Sequence, residues 1–190
     1  MMKFHPITWS CEFFDESDGL QNKSFKIWSS VKLSSGELVF GGVNGFSIFN
    51  HDKLQKNAIE PRIVLEELYV AGNRVKCGEK IKGRVILNKR IDLVSEIKLP
   101  YSHNNIAIQF AALHYTSPNK NRYRYMLEGH ETSYKETIGN THTATYPNLP
   151  AGTYTFILEG SNSDGLWAEE AKTLKIRILP PVWQTVPAIL

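Results

Sequence analysis

The segment from Tyr146 to Trp167 constrains the fold of this chain more than any other part of it. It opens with a turn that contains Pro147, Pro150 and Gly152, and this composition excludes a helix there. A period of two in polarity follows, which predicts a β-strand with one buried face. The apolar face of this strand has Tyr154, Phe156 and Leu158. The polar face has Thr153, Thr155 and Glu159.

Tyr154 has the position of a corner tyrosine. In a tyrosine corner, the phenol at the start of a strand hydrogen-bonds to backbone a few residues upstream. The spacing from Leu149 to Tyr154 suits this arrangement, so we expect the Tyr154 hydroxyl to contact the backbone near Leu149 or Pro150. The pattern recurs in immunoglobulin-like and fibronectin-type sandwiches, which serve more often as connectors and binders than as catalysts.

Composition points in the same direction. The chain is 42% hydrophobic, with 13 Gly and 9 Pro, which is typical of turn-rich β structure with a real core. The net charge of +3 is too small to indicate nucleic-acid binding. The densest basic stretch, from Lys76 to Arg90, has no interleaved aromatic residues that would stack on bases, so we interpret it as a solvated loop or strand face.

Short apolar runs alternate with glycine turns between residues 24 and 49. The predicted strands are Ser24–Leu33, Leu38–Phe40 and Phe46–Phe49. Short strands joined by tight turns predict a four-stranded antiparallel blade. Three glycines in the second turn permit positive φ and close approach of the backbone, namely Gly41, Gly42 and Gly45.

This blade resembles the regulator-type propeller repeat, which builds the periplasmic sensor region of hybrid two-component systems. The matching residues are Asp18-Gly19-Leu20 and the run from Gly36 to Phe49, with Val39 where the family usually has Trp or Tyr. Phe13-Phe14-Asp15 resembles the tail of a preceding repeat. Because a lone blade cannot bury both of its faces, we expect the chain to be part of a longer protein.

The region from Pro61 to Pro180 predicts a two-sheet sandwich. Seven or eight strands with polar outer faces fit this architecture. Those assigned from alternation are Ile63–Val70, Ile97–Leu99, Asn105–Leu113, Arg122–Glu128, Ala144–Tyr146, the strand from Tyr154, and Ala171–Ile178.

The sandwich resembles the three-tyrosine (Y_Y_Y) domain, which lies between propeller and membrane in the same sensors. The matching tyrosines are Tyr125 in Tyr-Arg-Tyr-Met-Leu-Glu-Gly, Tyr146 before Pro-Asn-Leu-Pro, and Tyr154 after Ala-Gly-Thr. Trp167 closes the turn that usually follows. Tyr134 stands nearest the position where family members commonly have a Trp, which is a mild departure. The order of the two resemblances along the chain is the order that the family uses.

These patterns predict an all-β chain of three pieces: a partial β-propeller, its last blade, in residues 1–60, an immunoglobulin/fibronectin-like β-sandwich in residues 61–180, and a tail in residues 181–190. The tail contains Pro181 and Trp183 and resembles the juxtamembrane segment before the family's membrane helix. A disordered tail is the alternative. Trp favours the membrane interface, which supports the juxtamembrane interpretation.

No motif indicates catalysis, a cofactor or a metal. Cys11 and Cys77 lie in different predicted pieces, so we expect them to be unbridged, and they have no zinc-site spacing. His142, Ser161 and Asp164 have the residue types of a catalytic triad, but the sequence has no Gly-x-Ser-x-Gly nucleophile elbow, so we do not interpret them as one. The acidic residues from Asp15 to Asp18 do not meet the calcium-loop spacing and are interpreted as Asx-turn chemistry.

The aromatic residues near the amino terminus leave two interpretations open. Trp9, Phe13, Phe14 and Trp28 form a possible sugar-stacking platform. Alternation in the blade strands favours a core between blades, made of Phe25, Ile27, Phe40 and Phe46.

The resemblance implies a non-catalytic, periplasmic sensor and signal-transmission module. In the implied whole protein, an oligosaccharide binds mainly through propeller elements outside this chain, and the change reaches a cytoplasmic histidine kinase and transcriptional output. The resemblance also implies a homodimer whose module contacts the rest of its own propeller and the membrane helix, without nucleic acid. The alternative is a carbohydrate-binding accessory sandwich of a secreted polysaccharide-degrading enzyme.

Overall fold

The computed structural model describes residues 1–21, 24–50, 57–113 and 117–181. The chain divides into two compact units, Met1–Lys56 and Asn57–Leu190, and each is described by itself. Strands and short 3₁₀ turns are the regular structure of the described ranges, which confirms the all-β prediction. Within those ranges, no helix has the length and apolarity needed to cross a membrane. Most of the predicted juxtamembrane tail, residues 182–190, lies outside the described residues.

The first unit contains a hairpin and a small sheet. Strands β1 (Met2–His5) and β2 (Ser10–Phe13) pair antiparallel. Strands β3 (Phe25–Lys32), β4 (Glu37–Gly42) and β5 (Gly45–Asn50) form a three-stranded antiparallel sheet in chain order. The prediction of a four-stranded blade is therefore wrong for the described residues. A 3₁₀ turn, Glu16–Asp18, lies between the hairpin and the sheet along the chain.

The small sheet brings three half-buried aromatic side chains together and leaves other apolar side chains exposed. Phe40 stacks on Phe49 with 5.6 Å between ring centroids and meets Phe25 edge-on at 6.0 Å. Ile27 and Phe46, which we expected to be buried between blades, are 85% and 64% exposed. A neighbouring blade that would cover them is not among the described residues, so the assignment to a core between blades stays a prediction. Three residues of the proposed sugar platform are also exposed: Trp9, Phe13 and Trp28.

The second unit is a sandwich of two sheets. One sheet has the order β14-β11-β6-β7 and the other β10-β16-β15-β12-β13. All neighbours are antiparallel except β10 and β16. A separate small hairpin joins β8 and β9. The strands are β6 (Arg62–Val70), β7 (Asn73–Arg74), β8 (Lys80–Ile81), β9 (Arg84–Val85), β10 (Glu96–Leu99), β11 (Ile106–Leu113), β12 (Arg122–Glu128), β13 (Lys135–Ile138), β14 (Thr141–Tyr146), β15 (Gly152–Ser161) and β16 (Lys172–Ile178).

The long strands of the sandwich were assigned from alternation, and their buried faces are those predicted. Two-residue strands such as β7 and β8 carry too few residues to show a period. The core draws on both sheets, with these fully buried side chains among its largest: Leu65, Leu68, Ile106, Ile108, Phe110, Tyr123, Leu127, Tyr146 and Phe156.

An ion pair between the buried Asp92 and the partly exposed Lys172 joins the two sheets. The register of β6 against β11 shifts between Gln109 and Phe110, a β-bulge. The adjacent Leu65 N–H donates to the buried carboxylate of Asp92 at 3.1 Å. Lys172, at the start of β16, donates to the same carboxylate at 2.9 Å and to the Asp92 carbonyl at 2.7 Å. Asp92 therefore links one strand of each sheet.

Candidate functional site

Tyr154 forms the predicted corner. Its hydroxyl donates to the carbonyl oxygen of Pro150 at 3.0 Å, which confirms the expectation from the sequence. The ring lies over Gly152, where an added Cβ would come within 3.3 Å of the phenolic oxygen. Burial raises the pKa of the hydroxyl. The residue thus fixes the turn before β15 to the start of that strand.

Tyr146 ends β14 with its ring in the core. Its ring meets Phe156 edge-on at 6.3 Å, and its hydroxyl donates to the Glu131 carboxylate at 3.3 Å. Burial, followed by the negative charge of Glu131, raises the Tyr146 pKa strongly. Because the phenol stays protonated, it remains a hydrogen-bond donor at any physiological pH.

Tyr125 is half-buried and lies between the other aromatic side chains and the β13 edge. Its ring is 5.3 Å from that of Phe110 and 6.1 Å from that of Phe156. Across the ladder it pairs with Lys135 of β13. Of the three tyrosines that match the Y_Y_Y resemblance, Tyr125 and Tyr146 contact the Phe156 ring. Tyr154 lies on the same strand as Phe156.

Glu131, which sequence reasoning missed, accepts several hydrogen bonds beside these tyrosines. Its carboxylate accepts from the Leu127 N–H at 2.8 Å and from the Tyr146 hydroxyl, and it pairs with Lys135 at 2.5 Å. Burial opposes ionisation of this carboxyl, but Lys135, the Leu127 N–H and Tyr146 together hold its pKa below the usual value. Glu131 follows Leu-Glu-Gly-His in the sequence, and nothing in that run signals its contacts.

Tyr123 is a fourth tyrosine with a larger structural role than Tyr125. It is fully buried, and its hydroxyl accepts from the Ala112 N–H at 2.8 Å while donating to the Asn140 carbonyl at 2.9 Å. Burial raises its pKa. Since Tyr123 belongs to β12 and Ala112 to β11, one phenol joins the two sheets. Alternation placed Tyr123 on the buried face, but its partners depend on the packing of distant strands.

Trp167 anchors the loop that follows β15. It forms a β-bridge with Ser161, and the guanidinium of Arg124 lies 4.7 Å from its ring centroid. The same guanidinium pairs with Glu159 and lies 5.7 Å from the Tyr134 ring. Arg124 thus stacks between two aromatic side chains on the outer face of the sheet.

The turn glycines of the first unit differ in what they require. Gly45 has φ 127° and needs the freedom of glycine. Gly41 and Gly42 do not have positive φ; they allow close approach, since an added Cβ would lie 3.0 Å from the Ser29 Cβ and 3.2 Å from the Ser24 carbonyl oxygen. These glycines shape a hairpin between β4 and β5.

The described residues hold no group of acidic, histidine and cysteine side chains arranged to bind a metal ion. His142 lies on β14 and bonds Thr137 through Nδ1, while Ser161 donates to the Asn162 carbonyl and Asp164 accepts from the Asn57 N–H. The three residues weighed as a catalytic triad thus bond to other residues and not to one another. The Asp18 carboxylate accepts the Asp15 N–H at 2.8 Å, a local bond back to the preceding turn that differs from the expected Asx-turn.

Two hollows of the described residues are lined by other side chains than the tyrosines. A hollow of about 270 Å³ in the first unit is lined by ten residues, among them Phe14, Gln21 and Phe46. One of about 390 Å³ in the second unit is lined mostly by polar residues such as Glu60, Arg62 and Glu170. None of the residues that line these two hollows is a tyrosine. Cys11 and Cys77 are free and exposed. Tyr123, Tyr146 and Tyr154 belong to the buried core of the second unit.

Comparison with known proteins shows what this arrangement is similar to. Residues 114–179 match the Y_Y_Y domain family. The chain is 29% identical over 185 residues to histidine kinase P4 of Formosa agariphila, covering 97% of this chain and 13% of that protein.

Solved structures give the same picture. The extracellular domain of the putative hybrid two-component system BT3049 from B. thetaiotaomicron superposes with a TM-score of 0.72 at 26% identity, covering 93% of this chain and 23% of that one. The extracellular domain of BT4673 from the same organism, described as a putative hybrid two-component system, matches with a TM-score of 0.56 at 26% identity, covering 96% and 23%. Residues 114–179 of the chain are thus similar to the Y_Y_Y domain, and nearly the whole chain is similar to the extracellular domain of a putative hybrid two-component system.

Proposed function

We propose that this chain is the membrane-proximal, non-catalytic part of a periplasmic sensor and that it transmits a ligand-dependent signal toward a cytoplasmic histidine kinase. The similarity to the BT3049 extracellular domain over 93% of the chain carries this proposal. The interior of the sandwich supports it. Tyr123 and Asp92 each join the two sheets by buried polar bonds, and a closely packed body of this kind shifts as a unit.

The proposed stimulus is an oligosaccharide. The chain spans 13% of the curated relative and 23% of the solved sensor domains, so most elements that would surround a ligand lie elsewhere in such proteins. The exposed rings of Trp9 and Trp28 are compatible with a contribution from the first unit. The propeller assignment of residues 1–60 and the kinase and transcriptional output remain parts of this proposal.

The test uses the intact receptor in native membranes, with a panel of neutral and acidic oligosaccharides and autophosphorylation as the readout. We expect one or more oligosaccharides to change autophosphorylation, and we expect deletion of residues 57–181 to remove the response while basal kinase activity survives. No response to any oligosaccharide, or a response that survives the deletion, contradicts the proposal. Micromolar glycan binding by this chain alone, measured by calorimetry, would favour the accessory-module function instead.

A further inference from the structure

One buried side chain fastens the segment that leads into the sandwich. Asn162 follows β15 directly and has no exposed surface. Its amide nitrogen donates to the carbonyl oxygens of Asn57 at 2.8 Å and Ile59 at 3.0 Å. Residues 57–60, which we name the leading segment, precede β6 and contain no regular structure of their own. The segment is therefore held by the end of β15.

The same amide also organises the loop after β15. Its oxygen accepts from the backbone N–H of Asp164 at 3.0 Å and of Leu166 at 2.9 Å. Asp164 in turn accepts the Asn57 N–H at 2.7 Å. We name this arrangement, the leading segment with the loop 162–166, the Asn162 junction. Asn162 and Asp164, both in this loop, thus bond to the leading segment.

Asparagine suits this position chemically. The junction needs two donated and two accepted hydrogen bonds from one short side chain, and an amide supplies both kinds. An aspartate keeps the acceptors but has no donor, and it would face the carbonyl oxygens of Asn57 and Ile59. Asn162→Asp therefore separates the two functions of the residue: it spares the loop and removes both bonds from residue 162 to the leading segment, while the Asp164 bond to the Asn57 N–H remains.

The opposite end of β15 lies where the chain leaves the sandwich. Gly152, the first residue of β15, pairs with Ile178, the last residue of β16. The next residue, Leu179, donates to the Leu99 carbonyl at 2.8 Å. At ~3.4 Å per residue, β15 spans roughly 30 Å between these two places. A single strand thus connects the attachment of the leading segment with the last strand of the sandwich.

We propose that Asn162 is a positioning residue for signal transmission. By holding the leading segment on β15, it makes a displacement of the preceding chain move the sandwich as a body, where a loose segment would absorb the displacement. This inference rests on the proposed function, because it names the residue through which the sandwich receives its input.

The test compares Asn162→Asp with Asn119→Asp, which makes the same chemical change at an exposed position. Hydrogen exchange of the leading segment and oligosaccharide-stimulated autophosphorylation are measured on the intact receptor, with the panel member that stimulates the parent most. The Asn57 and Ile59 N–H groups are hydrogen-bonded to Asp164 and to the Asn57 side chain. We expect Asn162→Asp to speed their exchange by about tenfold, because the segment opens more often once the two bonds to its carbonyls are lost. We also expect it to reduce the stimulation at least severalfold while leaving exchange in β11 unchanged. Asn119→Asp should change neither quantity.

Unchanged exchange in the leading segment overturns the junction itself. Faster exchange with stimulation equal to the parent's overturns its role in transmission and leaves the proposed function intact. If Asn162→Asp loses protection throughout β11 and β15, a second variant, Asp164→Ala at an exposed position, is measured instead. It removes only the bond to the Asn57 N–H. Exchange of the Asn57 N–H at the parent's rate in this variant overturns the inference. A parent receptor that no oligosaccharide stimulates contradicts the proposed function, and the exchange measurement still tests the junction.

Discussion

At the scale of single residues, removal of a tyrosine hydroxyl leaves its partner in water at one position of the sandwich and in the core at another. The Tyr154 hydroxyl donates to Pro150, an exposed residue whose carbonyl can turn to water. The Tyr123 hydroxyl accepts from Ala112 in the core, where water does not reach. An unsatisfied buried donor costs more than a lost hydrogen bond at the surface.

Tyr154→Phe should lower the free energy of unfolding by about 1 kcal/mol. Tyr154→Ala should lower it by ~3–5 kcal/mol, because it also leaves a cavity. Urea denaturation of the chain measures both values. A Tyr154→Ala protein that unfolds at the parent's urea concentration would defeat the corner assignment.

Tyr123→Phe should cost more than Tyr154→Phe, about 1–3 kcal/mol, because it strands the Ala112 N–H between the sheets. The same urea titration applies, and Tyr154→Phe is its matched control. Equal losses for the two Phe variants would show that the bond between the sheets adds nothing beyond an ordinary surface hydrogen bond.

Asp92 gives the sandwich an acid-sensitive link. Burial raises the pKa of this carboxyl, but Lys172 and the Leu65 N–H outweigh burial, and the net pKa lies below the ordinary value of 3.8. A lowered folded pKa adds stability above the unfolded pKa, and this stability is lost as pH falls through the folded pKa. We therefore expect the unfolding free energy to fall below about pH 4. Asp92→Asn should flatten that part of the profile, and an unchanged slope in the variant would contradict the assignment.

At the scale of elements, the sandwich could be predicted where a strand is long enough to show a period. β12, β15 and β16 alternate over seven or more residues, and their buried faces follow the sequence. The contacts of Glu131 and Asn162 could not be predicted, because each depends on where another segment packs. The blade prediction failed in its fourth strand for a related reason: strand count depends on pairing partners, and glycine turns mark only the ends of strands.

Gly160 shows how closely two strands of opposite sheets approach. A Cβ added there would lie 2.3 Å from the Ile63 Cδ1 and 3.4 Å from the Tyr123 ring. Gly160→Ala should therefore cost ~1–3 kcal/mol through overpacking. Ile63→Val removes the clashing methyl, so the double variant should be more stable than the sum of the two single losses predicts. Additive losses in urea titrations would contradict this packing.

At the scale of the whole molecule, exposed apolar surface on the first unit predicts self-association. Trp28 is 98% exposed and Ile27 85% exposed on β3. We expect the isolated chain to form a two-fold dimer at micromolar concentration, since that symmetry closes with one repeated interface. Light scattering measures the mass, and Trp28→Ser should weaken association without a change in melting temperature. A strict monomer would remove support for the proposed homodimer.

The proposed transmission requires that the sandwich move as a rigid body. Spin labels at positions 151 and 163 would flank β15 in an intact receptor whose free Cys11 and Cys77 are replaced by Ser. Pulsed electron resonance would then give the distance distribution between the labels, roughly 30–40 Å from strand geometry. We predict one narrow distribution that stays the same when the stimulating oligosaccharide changes autophosphorylation. A broad distribution, or one that shifts with the stimulus, would contradict the claim.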